Sequence, residues 1–285
     1  MKKRFLPIAI VGCLFCAFVV MAQDYFYVYY NDGSIEKYST NKLDSISLVR
    51  PHGTVTDVCG NTYNFLLIGD LLWFTENLRC DKRNDGTEYS GSCYSSSGTN
   101  TSSHFCYAFG QNGYTNPNNV KVSDSYIDKA GYYYGYDIAK DTKACPEGWR
   151  VATKDDFVSL KTYITQQGLD ARSLSSKEGW YSGNKAGKQG TDDFGFCALP
   201  LGGLRTHCTS LGTEKIGYSS AVFWTSTQYT PSSGSTPPAN LVVVEIYCNG
   251  SYNYNMYVQQ SSSSYLDNIM YPIRCCRDKM PVNGD

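Results

Sequence analysis

Cysteine is the residue type in this chain best equipped for covalent or metal chemistry. The sequence holds 12, and removing Cys13 and Cys16, which lie in the N-terminal apolar run, leaves 12 − 2 = 10: Cys59, Cys80, Cys93, Cys106, Cys145, Cys197, Cys208, Cys248, Cys275 and Cys276. Beyond residue 22 no pair has CxxC spacing, and His52, His104 and His207 form no cluster with them, so no metal site is assigned. An even set in an exported chain reads mostly as structural disulfides, with the connectivity left open by spacing alone. A Ser/His/Asp hydrolase would need one of those histidines, and no GxSxG elbow is present. Asp192-Asp193 is a paired carboxylate beside a glycine turn. A solvated turn or a salt bridge to Arg205 is the simpler reading than glycoside hydrolysis. No catalytic set and no cofactor are therefore assigned, and the chain is expected not to be an enzyme.

The other chemistry on offer is recognition. The chain has 25 tyrosines, and they are interleaved with Ser, Asn and Gly in Tyr89–Ser103, Tyr229–Ser235 and Asn249–Tyr265. Tyrosine supplies rigid amphipathic contact area while small polar residues adapt around it, which is the palette of contact loops. The competing reading is a hydrophilic surface rich in β-favouring tyrosine. The candidate ligand contacts are Tyr229, Tyr252, Asn253, Tyr254, Asn255, Tyr257 and Tyr265.

Behind these residues the pattern is mostly β. Phe196–Leu199, Phe223–Thr227, Leu241–Cys248, Tyr252–Val258 and Ile269–Cys276 read as strands, and Asn249-Gly250 is a hairpin signal. Pro272 is expected to put the last run at an edge or a bulge. Tyr63–Ile68 and Leu71–Phe74 are strands turned by Gly69-Asp70. The clearest helix starts at Thr153, with Asp156 completing something close to a capping box, Phe157, Leu160 and Ile164 on one face, and Gly168 at its end. A second short helix is expected over Leu169–Leu174. Residues 81–119 read as loops pinned by Cys80, Cys93 and Cys106, because their Gly/Ser/Thr/Asn composition buries no core of its own.

Residues 1–22 have the layout of a secretory signal: Lys2, Lys3 and Arg4, an apolar run to Val20, and Ala22 before Gln23. A lipobox-like reading at Ile10-Val11-Gly12-Cys13 would lipidate Cys13. It is the weaker one, because it leaves the apolar Leu14–Val20 as the mature start. Residues 23–50 read as a small β extension. In it Tyr25–Tyr30 and Ile35–Tyr38 pair across Asn31-Asp32-Gly33-Ser34, Leu43–Leu48 alternates, and Pro51-His52-Gly53 breaks the pattern. Residues 51–278 form the main domain and 279–285 a tail. The chain has 25 basic and 26 acidic residues; losing three basic ones with the signal gives 22 − 26 = −4. With no Lys/Arg stripe, nucleic acid is not an expected partner, and no later stretch is apolar enough to span a membrane.

Several motifs occur in one order: Asp57–Tyr63 (DVCGNTY), Trp73–Leu78 (WFTENL), Cys145–Phe157 (CPEGWRVATKDDF), Leu174–Trp180 (LSSKEGW), Thr191–Pro200 (TDDFGFCALP) with Gly202–Arg205 (GGLR), Trp224–Thr227 (WTST) and Arg274–Asp278 (RCCRD). Together they resemble the Fibrobacter succinogenes major paralogous domain family of bacterial surface and secreted proteins. That pattern is similar to C-type-lectin-like and formylglycine-generating-enzyme-like domains. The resemblance implies an α+β fold, with few helices beside twisted antiparallel sheets and long disulfide-pinned loops. It also implies a Cys145–Cys275 bridge. The reactive CxxxxC pair of the formylglycine-type oxidases is missing, and Trp224-Thr225-Ser226-Thr227 lacks the acids of a lectin calcium strand. Arg150, Arg205 and Arg274 are expected to pair with Asp155, Asp156, Asp192 or Asp193. The functional expectation is a secreted or outer-surface binding module contacting glycan, cell-wall material or a surface protein. The alternative is a structural component of the envelope or of a surface appendage, docked through residues 24–48.

Overall fold

The computed structural model describes residues 19–21, 25–29, 35–39, 52–91, 104–107, 128–182, 185–186, 188–205, 219–229, 240–248, 253–261 and 269–279. The chain divides into two compact units, Met1–Arg50 and Pro51–Asp285. The first holds β1 (Val19–Met21), β2 (Tyr25–Tyr29) and β3 (Ile35–Ser39) in one antiparallel sheet, with Tyr29 opposite Ile35. Strand β1 falls inside the expected signal, so cleavage after Ala22 would leave the β2–β3 pair. The Leu43–Leu48 expectation lies outside the described residues.

The second unit runs β4 (His52–Thr56), β5 (Thr62–Ile68), β6 (Leu71–Phe74), β7 (Ser90–Gly91), β8 (His104–Tyr107), β9 (Tyr132–Tyr134), helix α1 (Tyr136–Lys140), β10 (Arg150–Val151) and α2 (Lys154–Gln166). A 3-10 turn at Ala171–Leu174 follows, then β11 (Tyr181–Ser182), β12 (Lys185–Ala186), β13 (Leu204–Arg205), β14 (Ser220–Tyr229), β15 (Asn240–Cys248), β16 (Tyr254–Ser261), β17 (Ile269–Met270) and β18 (Cys275–Asp278). This is an α+β fold with few helices. Two sheets organise it: an antiparallel five-stranded one in the order β10-β18-β6-β5-β4, and an antiparallel three-stranded one in the order β14-β15-β16. His52 and Gly53 already belong to β4, so the strand pattern does not break over the whole Pro-His-Gly triplet. Gly53 tolerates the strand because Phe65, directly opposite, lies over its Cα face; a Cβ there would meet the Phe65 ring at 2.7 Å.

Two apolar clusters fill the unit. One gathers Tyr63, Phe74, Tyr134, Trp149, Val222, Trp224 and Val243; the other gathers Trp73, Phe157, Leu160, Ile164, Trp180, Phe196, Phe223, Val244, Ile246 and Met256. The helix α2 buries Phe157, Leu160 and Ile164, the stripe its spacing predicts. Two buried indole nitrogens find partners: Trp180 Nε1 donates to the nearby Ser176 Oγ at 3.0 Å and Trp224 Nε1 to the sequence-distant Tyr134 carbonyl at 2.7 Å.

At the start of α2 the capping box is complete. Asp156 N donates to Thr153 Oγ1 at 3.1 Å and Thr153 N donates to Asp156 Oδ2 at 2.6 Å. Arg150 grips the same carboxylate with both terminal guanidinium nitrogens, and its Nη1 also donates to Cys276 Sγ at 3.2 Å. Thr153→Ala is expected to cost about 1–2 kcal/mol in chemical denaturation, the usual loss for a side-chain cap. Burial alone would raise the Asp156 pKa, but Arg150 and the Thr153 amide and hydroxyl outweigh it and hold the carboxyl below its ordinary value. A depressed folded pKa means its contribution is complete above the unfolded carboxyl value of about 3.9 and is lost as pH falls through the folded one. Acid titration of Asp156→Asn should therefore lack that part of the wild-type loss.

Four expectations are corrected. Phe196–Leu199 is no strand: only Ala198 bridges, to Ser175, because Asp192 (φ 46°) and Cys197 (φ 52°) take left-handed backbone that ends an extended run. The last run is split into β17 and β18, with Pro272 in the gap, where its missing N–H costs no ladder bond; β18 is then interior, between β10 and β6. Within residues 81–119, the stretch 104–107 is strand β8. The cysteines are not all staples. Cys145 bonds to Cys275 and Cys59 to Cys80, whereas Cys197, Cys248 and Cys276 are buried thiols. Cys275 and Cys276 alternate along β18, so one faces Cys145 in the first cluster and the other faces the second. Cys93 and Cys208 lie outside the described residues.

Arg274 is the fifth departure. It is fully buried and, among the described residues, has no carboxylate within salt-bridge distance; its guanidinium is held by acceptors instead. Nη1 donates to the Phe74 carbonyl at 2.9 Å and to the Phe196 carbonyl, and Nη2 donates to Asn77 Oδ1 at 2.8 Å. The plane lies over Phe196 at 4.4 Å and Phe223 at 5.3 Å. Burial lowers its pKa to about 10, against the pull of Cys197, Glu76 and Asp192. Asp192 is engaged elsewhere, accepting the Cys197 amide at 2.8 Å, and Asp193 accepts Thr191 Oγ1 at 2.8 Å. Asp155 is exposed, and the Arg205 side chain lies outside the described residues.

Candidate functional site

The three-stranded sheet has one face in each apolar cluster, and among the described residues one of those faces is the more completely covered. Ala221 and Phe223 of β14, Val244, Ile246 and Cys248 of β15, and Tyr254, Met256 and Val258 of β16 point into the second cluster. On the opposite face, Val222, Trp224 and Val243 are covered by the first cluster. Beyond them that face opens: Glu245 and Tyr247 are half-buried, and Asn255 and Tyr257 are exposed. The register pairs Glu245 with Tyr257 and Tyr247 with Asn255, and on the other side Val222 with Glu245 and Ser220 with Tyr247. Neighbouring strands lie about 4.8 Å apart and alternate residues about 7 Å along a strand, so these four side chains form a compact patch on a rigid sheet. Tyr257 is 46% exposed, on the outward side of a strand whose inward residues are core. Ser220 Oγ donates to Glu245 Oε1 at 2.5 Å, holding the carboxylate toward β14.

Of the seven candidate contacts, the structure brings Asn255 and Tyr257 together on this patch, with exposed Asn253 just before β16. Tyr254 is corrected. It is 4% exposed, its ring packs edge-on against Trp180 at 5.0 Å, and its hydroxyl donates to the Lys188 carbonyl. Burial, then the Cys248 thiol beside it, push that hydroxyl well above the ordinary tyrosine pKa. A strand side chain between Asn253 and Asn255 must face the other way from both. Tyr229 ends β14 opposite Asn240, and its side chain lies outside the described residues, as do Tyr252 and Tyr265 entirely. Glu245, Tyr247 and Ser220 were missed. The alternation of Leu241–Cys248 already puts Glu245 and Tyr247 on one face, and that signal was available.

Among the described residues, Asp57, Cys59 and Cys80 place their ligand-type atoms within 4.8 Å of one another. The two sulfurs are bonded to each other, and Asp57 accepts the Cys59 amide at 2.9 Å, the Asn61 amide at 2.9 Å and the Tyr63 hydroxyl at 2.7 Å. This is a bridged turn. His52 is an exposed residue of edge strand β4, the His104 side chain lies outside the described residues, and so does His207.

The residues of the recurring motifs build the frame of this sheet and its neighbour. Gly148 turns at φ 77°, Trp149 and Trp224 are buried in one cluster, and Cys145 is tied to Cys275 beside Arg274. No curated protein and no solved structure matches the chain. The model of the Fibrobacter succinogenes major domain matches residues 66–277, from inside β5 to the penultimate residue of β18. With well over half of its length inside that match, the chain belongs to the Fibrobacter succinogenes major domain family.

Proposed function

We propose that this is a non-catalytic binding module, secreted or held at the outer cell surface, that contacts glycan or a surface protein through the open end of its three-stranded sheet. The coarse part rests on firm ground: family membership and two disulfides fit an extracellular domain, since such bridges persist in oxidising compartments. No helix among the described residues is long and apolar enough to cross a membrane. The C-type-lectin-like label is part of the proposal, and the motif order together with the bridge between helix entry and last strand supports it.

One observation carries the reading. Tyr257 presents its ring to solvent beside Glu245, Tyr247 and Asn255, on a sheet whose reverse face is packed core. A phenol ring flanked by an amide and a carboxylate offers both an apolar platform and hydrogen-bonding groups, held without the entropy cost of ordering a loop. The test is a glycan and surface-protein array probed with the wild type and Tyr257→Ala. The variant is expected to lose about tenfold in affinity, roughly 1.4 kcal/mol. Its stability should stay within about 0.5 kcal/mol, as for other surface substitutions. Unchanged binding of every hit by Tyr257→Ala would count against this face.

A further inference from the structure

We infer that the five-stranded sheet carries a second, separate docking site, in which Arg277 anchors the carboxylate of an acidic peptide whose neighbouring side chain is apolar. In β18, Arg277 shares a face with Cys275 and lies opposite Leu72 of β6, which in turn lies opposite Leu67 of β5. The three form one row across the sheet, and Phe65 stands on the same face in the next row. Trp149 packs over that face, its ring 5.1 Å from Phe65 and 4.6 Å from Phe74. The Arg277 guanidinium lies 4.9 Å from the centre of the Trp149 ring and 5.5 Å from that of Phe65, and stacking on the two rings holds its planar fork in place. Its Nε is buried and makes no hydrogen bond. Among the described residues Nη1 and Nη2 find no acceptor either, no carboxylate comes within salt-bridge distance of them, and they are not enclosed as Nε is. With Nε turned inward, the Nη1–Nη2 edge is the one offered to solvent. The acids at this end of the sheet are engaged elsewhere: Asp278, on the reverse face, lies 3.5 Å from Arg150, and Asp70 pairs with Lys279 at 2.7 Å. A preorganised guanidinium edge matches a planar carboxylate, which accepts two parallel N–H bonds. The floor beside it decides what carries that carboxylate. Phe65 and Leu67 are half-buried, Leu72 is buried, and none of their side chains holds a hydrogen-bonding atom. A sugar laid there would desolvate hydroxyls with nothing to receive them, whereas a Leu or Phe of a peptide would only remove apolar surface from water. An Asp or Glu beside an apolar residue therefore fits better than a uronate.

The test probes the full chain with an array of end-capped octapeptides in a Gly/Ser background. Each carries Asp, Glu, Asn or Gln at its centre with Leu, Phe or Ser beside it, and the best binders go on to isothermal titration. Peptides that pair Asp or Glu with Leu or Phe are expected to bind, and exchanging the acid for its amide should weaken binding about tenfold. Arg277→Gln should produce a similar loss, and Arg277→Lys, which keeps the charge but not the planar fork, a loss of about fivefold. Circular dichroism checks that both variants are folded, and the acid-to-amide comparison on the wild type needs no variant. Tyr257→Ala, on the other sheet, should leave peptide binding unchanged, so this site and the Tyr257 face stand or fall separately. Equal binding of acid and amide peptides, or no peptide bound, overturns the inference. Peptide binding that survives Arg277→Gln, or that Tyr257→Ala abolishes, overturns it as well. Inorganic phosphate or a galacturonate hexamer bound at Arg277 in preference to every peptide overturns the peptide assignment. A dimer that Arg277→Gln dissolves does the same, since a second copy would then cover the patch.

Discussion

Arg274→Met is expected to cost about 3–5 kcal/mol, a large share of the roughly 5–15 kcal/mol that holds a typical domain folded. Two effects oppose each other. Removing the cation relieves the burial that lowers its pKa to about 10. It also strands the Phe74 and Phe196 carbonyls and Asn77 Oδ1, all in a region with no exposure, and each orphaned acceptor costs about 1–3 kcal/mol. The acceptors win because there are three of them, with the Cys197 carbonyl at 3.4 Å as a fourth, and because the methionine also forfeits the stacking on Phe196 and Phe223. Arg274→Lys should fall between, since an ammonium has no planar fork to reach both carbonyls and Asn77 together. Urea denaturation decides it; a loss below about 1 kcal/mol for Arg274→Met would show that the core tolerates those acceptors unpaired.

The second large effect is loss of the Cys145–Cys275 bridge, which closes a separation of 130 residues. In the chain-entropy model, closing that loop contributes about 5 kcal/mol, against about 3 kcal/mol for the Cys59–Cys80 bridge with its separation of 21. Cys145→Ser/Cys275→Ser should therefore destabilise by more than Cys59→Ser/Cys80→Ser, by about 1–2 kcal/mol. Both sulfurs of the long bridge sit in the apolar cluster with Trp149 and Ile273, so two buried hydroxyls add to the cost. Equal losses in the two double variants would mean that the loop-entropy account fails here.

The helix α2 could be read from the sequence down to its cap, because the cap, the apolar stripe and the terminal Gly168 are all local signals within Thr153–Gly168. The β5–β6 pair was equally readable, since Gly69-Asp70 joins Ile68 directly to Leu71 and Gly69 takes φ 64°. What the sequence hid was non-local. Arg274 meets acceptors near residues 74, 77 and 196, and no spacing rule brings those segments together. The site shows the same division. The exposed strand and its tyrosines were visible, but the faces depended on register. A two-residue turn on Asn249-Gly250 would set Cys248 opposite residue 251; the structure instead pairs Cys248 with Tyr254. A shift by an odd number of residues turns every side chain to the other face. It sends Tyr254 into the core against Trp180 and leaves Asn255 and Tyr257 outside with Glu245 and Tyr247. The cysteines were legible only in part for a related reason: parity suggested mostly staples without saying which, while neighbours on β18 face opposite sides and, of the two, Cys275 meets a partner sulfur and Cys276 is a buried thiol.

The binding face itself is tested most directly by amide chemical-shift mapping. Labelled protein is titrated with an uncharged hexasaccharide drawn from array hits. The expected result is a set of saturable shifts centred on Glu245, Tyr247, Asn255 and Tyr257, with the α2 amides of Lys154–Gln166 unmoved. Saturable shifts centred anywhere else in the chain, with those four residues silent, would contradict the assignment of the sheet face as the site.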